Sequence, residues 1–390
     1  MIIFSKYLCG SGTVSEALRS MHTSSHEQSR DDLLRFSTNY RPIVVWNLTK
    51  HCNLRCSHCY IDAKEEASKM ELSTEEGIAF LDDLAKLHVP LVLFSGGEPF
   101  LHRDFYVLLD HALKLGLRVA ISTNGTLIDK ETAASMAAKG VSYVGVSLDS
   151  NLPTTHDNFR GVSGAYERTL EGLKYCINAG LKTGVRITVT KDNYKDLPGL
   201  YELARDLKIP RFCVYYLVPT GRGQKLMDLD LDPEQRQEVF DFLCKATLEQ
   251  GAKPEVEIVT TDGPFDGPLI LEYLGKNHQL KGDIQTLMQL SGGCSAGEKI
   301  ANVDPWGNVH PCQFWTHESL GNVRDQPFSQ IWHQESHELL TKLRSKEEHL
   351  QGACGDCQYK VMCKGCRLRA LFESGDIFAT DPACPFNGHS

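Results

Sequence analysis

Three cysteines fall close together in the run Lys50-His51-Cys52-Asn53-Leu54-Arg55-Cys56-Ser57-His58-Cys59-Tyr60, at spacings x3 and x2. Thiolates ligate soft metal centres and are the usual ligands of iron–sulfur clusters. Three of them leave one iron of a four-iron cluster without a protein ligand, and an open coordination position is where a metal centre does chemistry. A zinc knuckle completed by His51 or His58 is the alternative reading of the same spacing. A second field lies near the C-terminus: Cys294, Cys312, then Cys354-x2-Cys357-x5-Cys363-x2-Cys366, and Cys384. So many cysteines in one stretch point to metal, and the x2 pairs taken alone suit one or two structural zinc sites.

Such residues need elements that bring them together. From residue 43 the chain alternates short β-rich runs (43–48, 91–95, 118–122, 143–148, 185–190 and 212–218) with amphipathic helices. Ser73-x-x-Glu76 is a capping box ahead of Ile78, Leu81, Leu84 and Leu87. Asp104, Asp129, Gly164, Asn193 and Asp232-Pro233 open the following helices. Six βα units imply a parallel sheet with right-handed crossovers. They are too few for a closed eight-fold barrel, and an open doubly wound sheet is the other arrangement this periodicity allows. Either way, chemistry belongs at the C-terminal ends of the strands. There lie Ser95-Gly96-Gly97-Glu98-Pro99, Ser122-Thr123-Asn124-Gly125 and Ser147-Leu148-Asp149, with His156-Asp157-x-x-Arg160-Gly161 beyond. Residues 1–38 read as an N-terminal extension over one end of the barrel, 39–251 as the barrel, 252–293 as a turn-rich bridge, and 294–390 as a cysteine-rich domain. Asp304-Pro305-Trp306-Gly307-Asn308-Val309 reads as a hairpin turn bringing Cys294 toward Cys312. Cys176, Cys213 and Cys244 read as core thiols.

Cys52-x3-Cys56-x2-Cys59 resembles the signature of radical S-adenosylmethionine (AdoMet) enzymes, with His58 where that family usually has an aromatic residue. The resemblance implies a partial (β/α)6 TIM-like barrel of the α/β class and a [4Fe–4S] cluster on the three cysteines. No catalytic residue is implied beyond the cluster and the AdoMet site. It also implies that Gly96, Gly97 and Glu98 hold the AdoMet amino group, Ser147 and Asp149 its ribose, and Arg160 its carboxylate. The C-terminal cysteines resemble the SPASM extension. That resemblance implies one auxiliary cluster on Cys354, Cys357, Cys363 and Cys384, and a possible second with only Cys294, Cys312 and Cys366. At least two [4Fe–4S] clusters and AdoMet are therefore the expected cofactors.

The spellings of residues 39–49, 56–60 and 217–223 are similar to the tetrapyrrole-modifying group of this family. Within it the chain looks closest to the enzyme that converts two acetate side chains of 12,18-didecarboxysirohaem to methyls, giving iron-coproporphyrin III. Haem d1 side-chain cleavage, propionate decarboxylation and peptide maturation are the competing activities. An iron–sulfur electron-transfer protein is the non-enzymatic alternative. A flat substrate rimmed with carboxylates calls for arginine forks and aromatic walls. Arg41, Arg160, Arg186 and Arg222 lie near strand ends, and Arg41 and Arg222 are the expected substrate contacts. The electron donor expected by resemblance is a flavodoxin or ferredoxin.

Composition sets the outer limits. The 390 residues are 41% hydrophobic, enough for a large core and a smaller domain. A net charge of -9 argues against nucleic-acid binding. No apolar run is long enough to span a bilayer, the first residues lack a signal-peptide core, and a cytoplasmic location is expected. Fourteen cysteines in that setting favour metal over disulfides.

Overall fold

The computed structural model of the chain describes residues 1–10, 41–277 and 284–386. Its strands are β1 (Ile2–Ile3), β2 (Ile43–Asn47), β3 (Val92–Ser95), β4 (Val119–Thr123), β5 (Tyr143–Ser147), β6 (Thr183–Val189), β7 (Arg211–Tyr216), β8 (Glu257–Thr261), β9 (Ile300–Val303), β10 (Asn308–His310) and β11 (Gly321–Asn322). They form one sheet in the order β1-β8-β7-β6-β5-β4-β3-β2-β9-β10-β11. The six expected strands are β2 to β7, parallel and in chain order. The arrangement is the α/β partial barrel with a C-terminal cysteine-rich region.

Helices stop and start where the side chains dictate. Ser73 and Glu76 make a reciprocal capping box for Thr74–Lys86, and Asp232 and Gln235 do the same for Pro233–Leu248. Asp129 accepts a hydrogen bond from the Thr132 N–H at 2.8 Å, and its helix Lys130–Lys139 ends at Gly140 in the left-handed conformation. The outward strand faces, among them Val44, Trp46, Phe94, Ile121, Val146 and Phe212, pack into the main core. The inward face is different. Val45, Leu93, Ala120 and Tyr143 form a small apolar cluster deep in the barrel. Two residues further along, Asn47, Ser95 and Ser122 share that face near the strand ends, because side chains alternate with period two.

Two stretches differ from the sequence reading. Residues 252–293, expected to break the pattern, contain β8, which extends the parallel sheet beside β7. Asp262-Gly263-Pro264-Phe265 is the expected turn, but Asp266 already begins the helix Asp266–Lys276. The strand is hard to read because it opens on Glu257, whose buried carboxylate meets Arg211 at 2.6 Å. At the other edge β9 runs parallel to β2, and β9–β10 is the expected hairpin. Of the N-terminal extension, residues 1–9 add β1 antiparallel to β8 and pack Phe4 at 5.7 Å from Phe240. Residues 11–38, with Leu18, Met21, Leu33, Leu34 and Phe36, lie outside the described residues.

The helix after β8 also carries a pH dependence. Asp266 is fully buried, with the Tyr216 hydroxyl donating to its Oδ1 at 3.2 Å, and burial pushes its carboxyl up to about 7. The unfolded chain ionises it near 3.8, so the folded state binds more protons between those values. Stability therefore falls as pH rises from about 4 through about 7. Ionisation inside the fold costs on the order of 4 kcal/mol. Asp266→Asn is expected to flatten the decline of melting temperature between pH 5 and pH 8. An unchanged slope would place that decline in another group.

Candidate active site

The cysteine loop leaves the end of β2 and is tied down from several sides. The Cys52 N–H donates to the Lys64 carbonyl at 2.8 Å, the Arg55 N–H to the Arg160 carbonyl at 3.0 Å, and the Ser57 N–H to the Phe159 carbonyl at 3.0 Å. Cys52 and Cys56 are buried, Cys59 is partly buried, and the three thiols lie within electrostatic reach of one another. Burial pushes the Cys52 thiol up to about 12. Such thiols stay protonated until a metal centre displaces the proton. The donor set, three clustered thiols approached by the Leu54 and Ala63 N–H groups and the Arg160 guanidinium, fits a cluster. Among the described residues no three His, Cys, Asp or Glu side chains already converge on the position of a single metal ion.

Gly96 and Gly97 let the end of β3 press against the loop. The Gly97 N–H donates to the Thr49 carbonyl and the Glu98 N–H to the His51 carbonyl, both at 2.8 Å. A Cβ on Gly96 would stand 2.6 Å from the Thr49 carbonyl oxygen, and Gly96 has φ +137°. Glu98 is fully buried. The Thr123 hydroxyl donates to its Oε1 at 2.8 Å and the Asn124 N–H to its Oε2 at 2.9 Å. Burial pushes its carboxyl up to about 7, against those donors. Glu98 thus joins the end of β3 to the end of β4. Asn124 in turn extends its Nδ2 to Asn53 Oδ1 at 2.9 Å and toward Cys52 Sγ at 4.0 Å.

Asp149 and Arg160 form a buried ion pair, with Nε and Nη2 of Arg160 each 2.6 Å from Asp149 Oδ2. The Arg160 Nη1 reaches Cys56 Sγ at 3.5 Å. Asp149 therefore holds Arg160 beside the cysteine loop. Ser147 ends β5 in the same register layer as Arg186. His58 stacks on Phe159, ring centroids 4.3 Å apart and planes 11° from parallel. Burial, with Arg160 and Arg222 nearby, holds His58 well below the usual imidazole range, so it serves as a neutral flat ring.

Of the two expected substrate arginines, one is tied to the cysteine loop and the other lies at the far end of β2. Arg222 donates through Nε to the Cys56 carbonyl at 2.8 Å and through Nη1 to Asp62 and the Ala63 carbonyl at 3.0 and 2.9 Å. It clamps the cysteine loop. Arg41 precedes β2, at the end opposite the loop, and a five-residue strand spans about 17 Å. Tyr60 is a contact that sequence reasoning left unassigned. Its hydroxyl donates to Asn47 Oδ1 at 2.7 Å, and its ring meets Phe314 edge-on at 5.4 Å, joining the barrel opening to the C-terminal region. The aromatic next to the last cysteine was its visible signal.

In the C-terminal region Cys354, Cys357, Cys363 and Cys384 line one cavity of about 600 Å³. Cys363 and Cys384 each lie within electrostatic reach of Cys354. Arg367 Nη2 and the Asp381 N–H approach Cys354 Sγ at 3.8 and 3.4 Å. Cys312 is likewise close to Cys294 and Cys366. The structure thus brings the seven thiols together as a group of four and a group of three. Cys176 and Cys244 are in the main core, while Cys213 lines the barrel interior beside Val259.

Residues 46–204 match the radical SAM superfamily, and residues 294–358 match an iron–sulfur cluster-binding domain of the SPASM type. The chain is 42% identical over 390 residues to Fe-coproporphyrin III synthase of Methanosarcina barkeri, covering 98% of this chain and 97% of the relative. It is 36% identical to pre-heme d1 synthase of Dinoroseobacter shibae, over 88% of this chain and 86% of that one. Streptococcus suis SuiB bound to S-adenosylmethionine shares the fold, with a TM-score of 0.72 at 18% identity over 95% of this chain and 86% of that one. The two domain matches imply [4Fe–4S] clusters and AdoMet as cofactors. With both domains in one chain and near-full-length similarity to haem-synthesis enzymes, this protein is a radical SAM enzyme with a C-terminal SPASM domain.

Proposed function

We propose that the chain acts in haem biosynthesis, on the two acetate side chains of 12,18-didecarboxysirohaem, to give iron-coproporphyrin III. The observation that carries this reading is the 42% identity to Fe-coproporphyrin III synthase, which runs through barrel and SPASM region alike. Cys52, Cys56 and Cys59 are the ligands of the first cluster. Cys354, Cys357, Cys363 and Cys384 hold an auxiliary one, and Cys294, Cys312 and Cys366 supply three ligands to another. When bound, the first cluster and AdoMet would supply radical chemistry able to take hydrogen from an unactivated C–H bond.

The protein's own contribution is placement and exclusion of water. Arg160, oriented by Asp149, offers its free N–H groups to the AdoMet carboxylate next to Cys56. Gly96 and Gly97 expose backbone at the end of β3, Glu98 fixes the adjoining β4 end, and Ser147 faces the ribose. Tyr60 and Phe314 provide an aromatic wall against which a flat macrocycle can lie. A flavodoxin or ferredoxin is the electron donor. No helix among the described residues is long and apolar enough to cross a membrane, in keeping with a cytoplasmic enzyme.

Metal analysis of the anaerobically reconstituted protein is expected to give iron near eight per chain for two four-iron clusters, or near twelve for three. Iron near four would remove the auxiliary clusters. The functional test combines that protein with AdoMet, a reductant and 12,18-didecarboxysirohaem, followed by mass spectrometry of the tetrapyrrole. Two stepwise losses ending at iron-coproporphyrin III are expected. An unchanged tetrapyrrole with 5′-deoxyadenosine still formed would refute the substrate and leave the radical chemistry.

A further inference from the structure

The barrel interior contains a cation without an anion. Arg186 projects inward from the middle of β6, in register with Ser147 on one side and Cys213 on the other. Its Nη1 donates to Ser122 Oγ, and its guanidinium lies over the Tyr215 ring at 5.7 Å. Tyr143, Cys213 and Tyr60 complete its electrostatic surroundings. No carboxylate pairs with it among the described residues. Of the other buried arginines, Arg160 meets Asp149, Arg211 meets Glu257, Arg236 meets Asp230 and Arg369 meets Asp381, while Arg367 is held by the Ile377 and Ala379 carbonyls. Arg186 is half-buried, and a charge partly withdrawn from water is stabilised when an opposite charge meets it. Yet room has been made for this one. A Cβ on Gly145 would stand 2.5 Å from Arg186 Nε, so the neighbouring strand gives up its side chain to admit the guanidinium.

The geometry points to Arg186 as the residue that binds a carboxylate arm of the substrate inside the barrel. This rests on the reading of the substrate as a carboxylate-bearing tetrapyrrole. Tyr215, Thr188 and Thr261 form the register layer above it, toward the strand ends. Arg186 therefore sits about 7 Å below that layer, two residues along the strand. A side chain ending in a carboxylate reaches that depth from the opening. The planar fork suits a carboxylate, and Tyr215 and Ser122 hold the fork in place. Arg160 and Arg222 are held against the cysteine loop and Arg41 is remote, so among the described residues Arg186 is the cation on the inward strand face placed to select the arm.

The test is an absorbance titration of the reconstituted holoenzyme with 12,18-didecarboxysirohaem and with its methyl ester, alongside calorimetric titration with AdoMet. Arg186→Gln is expected to weaken binding of the free acid by roughly tenfold to a hundredfold. Binding of the ester and of AdoMet should stay at the wild-type level. Arg186→Lys should recover part of the affinity. Gly145→Ala, which keeps the charge but displaces the fork, should lose affinity for the free acid in the same way. Equal affinity of wild type and Arg186→Gln for the free acid would overturn the assignment while the substrate reading stands. Weakened AdoMet binding in place of tetrapyrrole binding would overturn it as well. A wild type that binds neither acid nor ester would overturn the substrate reading and this assignment together.

Discussion

Cys56→Ala is expected to abolish AdoMet cleavage, below about a thousandth of the wild-type rate, while the fold persists. Cys56 is the buried central thiol of the loop, the one that meets Arg160. Loss of one of three ligands leaves the first cluster with two, so iron should fall by about four atoms per chain, with the auxiliary clusters retained. The fold survives because the loop is anchored through its backbone. The Arg55 and Ser57 N–H groups hold to the Arg160 and Phe159 carbonyls, and Arg222 holds the Cys56 carbonyl at 2.8 Å. Circular dichroism should therefore be unchanged. AdoMet turnover at the native rate in this variant would refute the ligand assignment.

The same site shows what a sequence discloses and what it withholds. Ligand spacing is local, so Cys52-x3-Cys56-x2-Cys59 could be read directly, and the alternation of short strands with capped helices located β2 to β7. The C-terminal thiols lie as a four and a three. Partnership is not local. Asp149 and Arg160 were visible as polar residues after the fourth expected strand, but nothing in the sequence tells that each is the other's partner. Glu98 carried the same ambiguity. Its fully buried oxygens are held by Thr123, the last residue of the next strand, and Asn124 just beyond it. The arginines are the sharpest case. Arg222 follows a strand end and so looked like a substrate contact, yet the chain folds back and lays it against the cysteine loop. Arg186 lies within a strand, where direction depends on which face turns inward, and only the curvature of the whole sheet decides that. β8 escaped notice for a related reason: Glu257 reads as surface until Arg211 is found opposite it.

Gly97→Ala is expected to cost the enzyme its first cluster without touching a ligand. The Gly97 backbone lies against the turn that leads into Cys52. An added Cβ would collide with the His51 carbonyl oxygen and stand 2.7 Å from the His51 carbonyl carbon and 2.9 Å from the Lys50 oxygen. These are backbone atoms, so no rotamer change relieves the overlap, and the two segments must separate. Separation breaks the hydrogen bonds from Gly97 to Thr49 and from Glu98 to His51. Cys52 then moves with residues 49–51, while Cys56 and Cys59 stay with Phe159, Arg160 and Arg222. The three thiols can no longer meet one cluster. Overpacking of this kind costs about 1–3 kcal/mol of stability, which is small beside the functional loss. Expected results are iron lower by about four atoms per chain and AdoMet cleavage reduced at least a hundredfold, with the tetrapyrrole still bound. Gly275→Ala is the control, since a Cβ there meets nothing within 4 Å. Full iron and normal turnover in Gly97→Ala would mean that the close approach of β3 to the loop does not position Cys52.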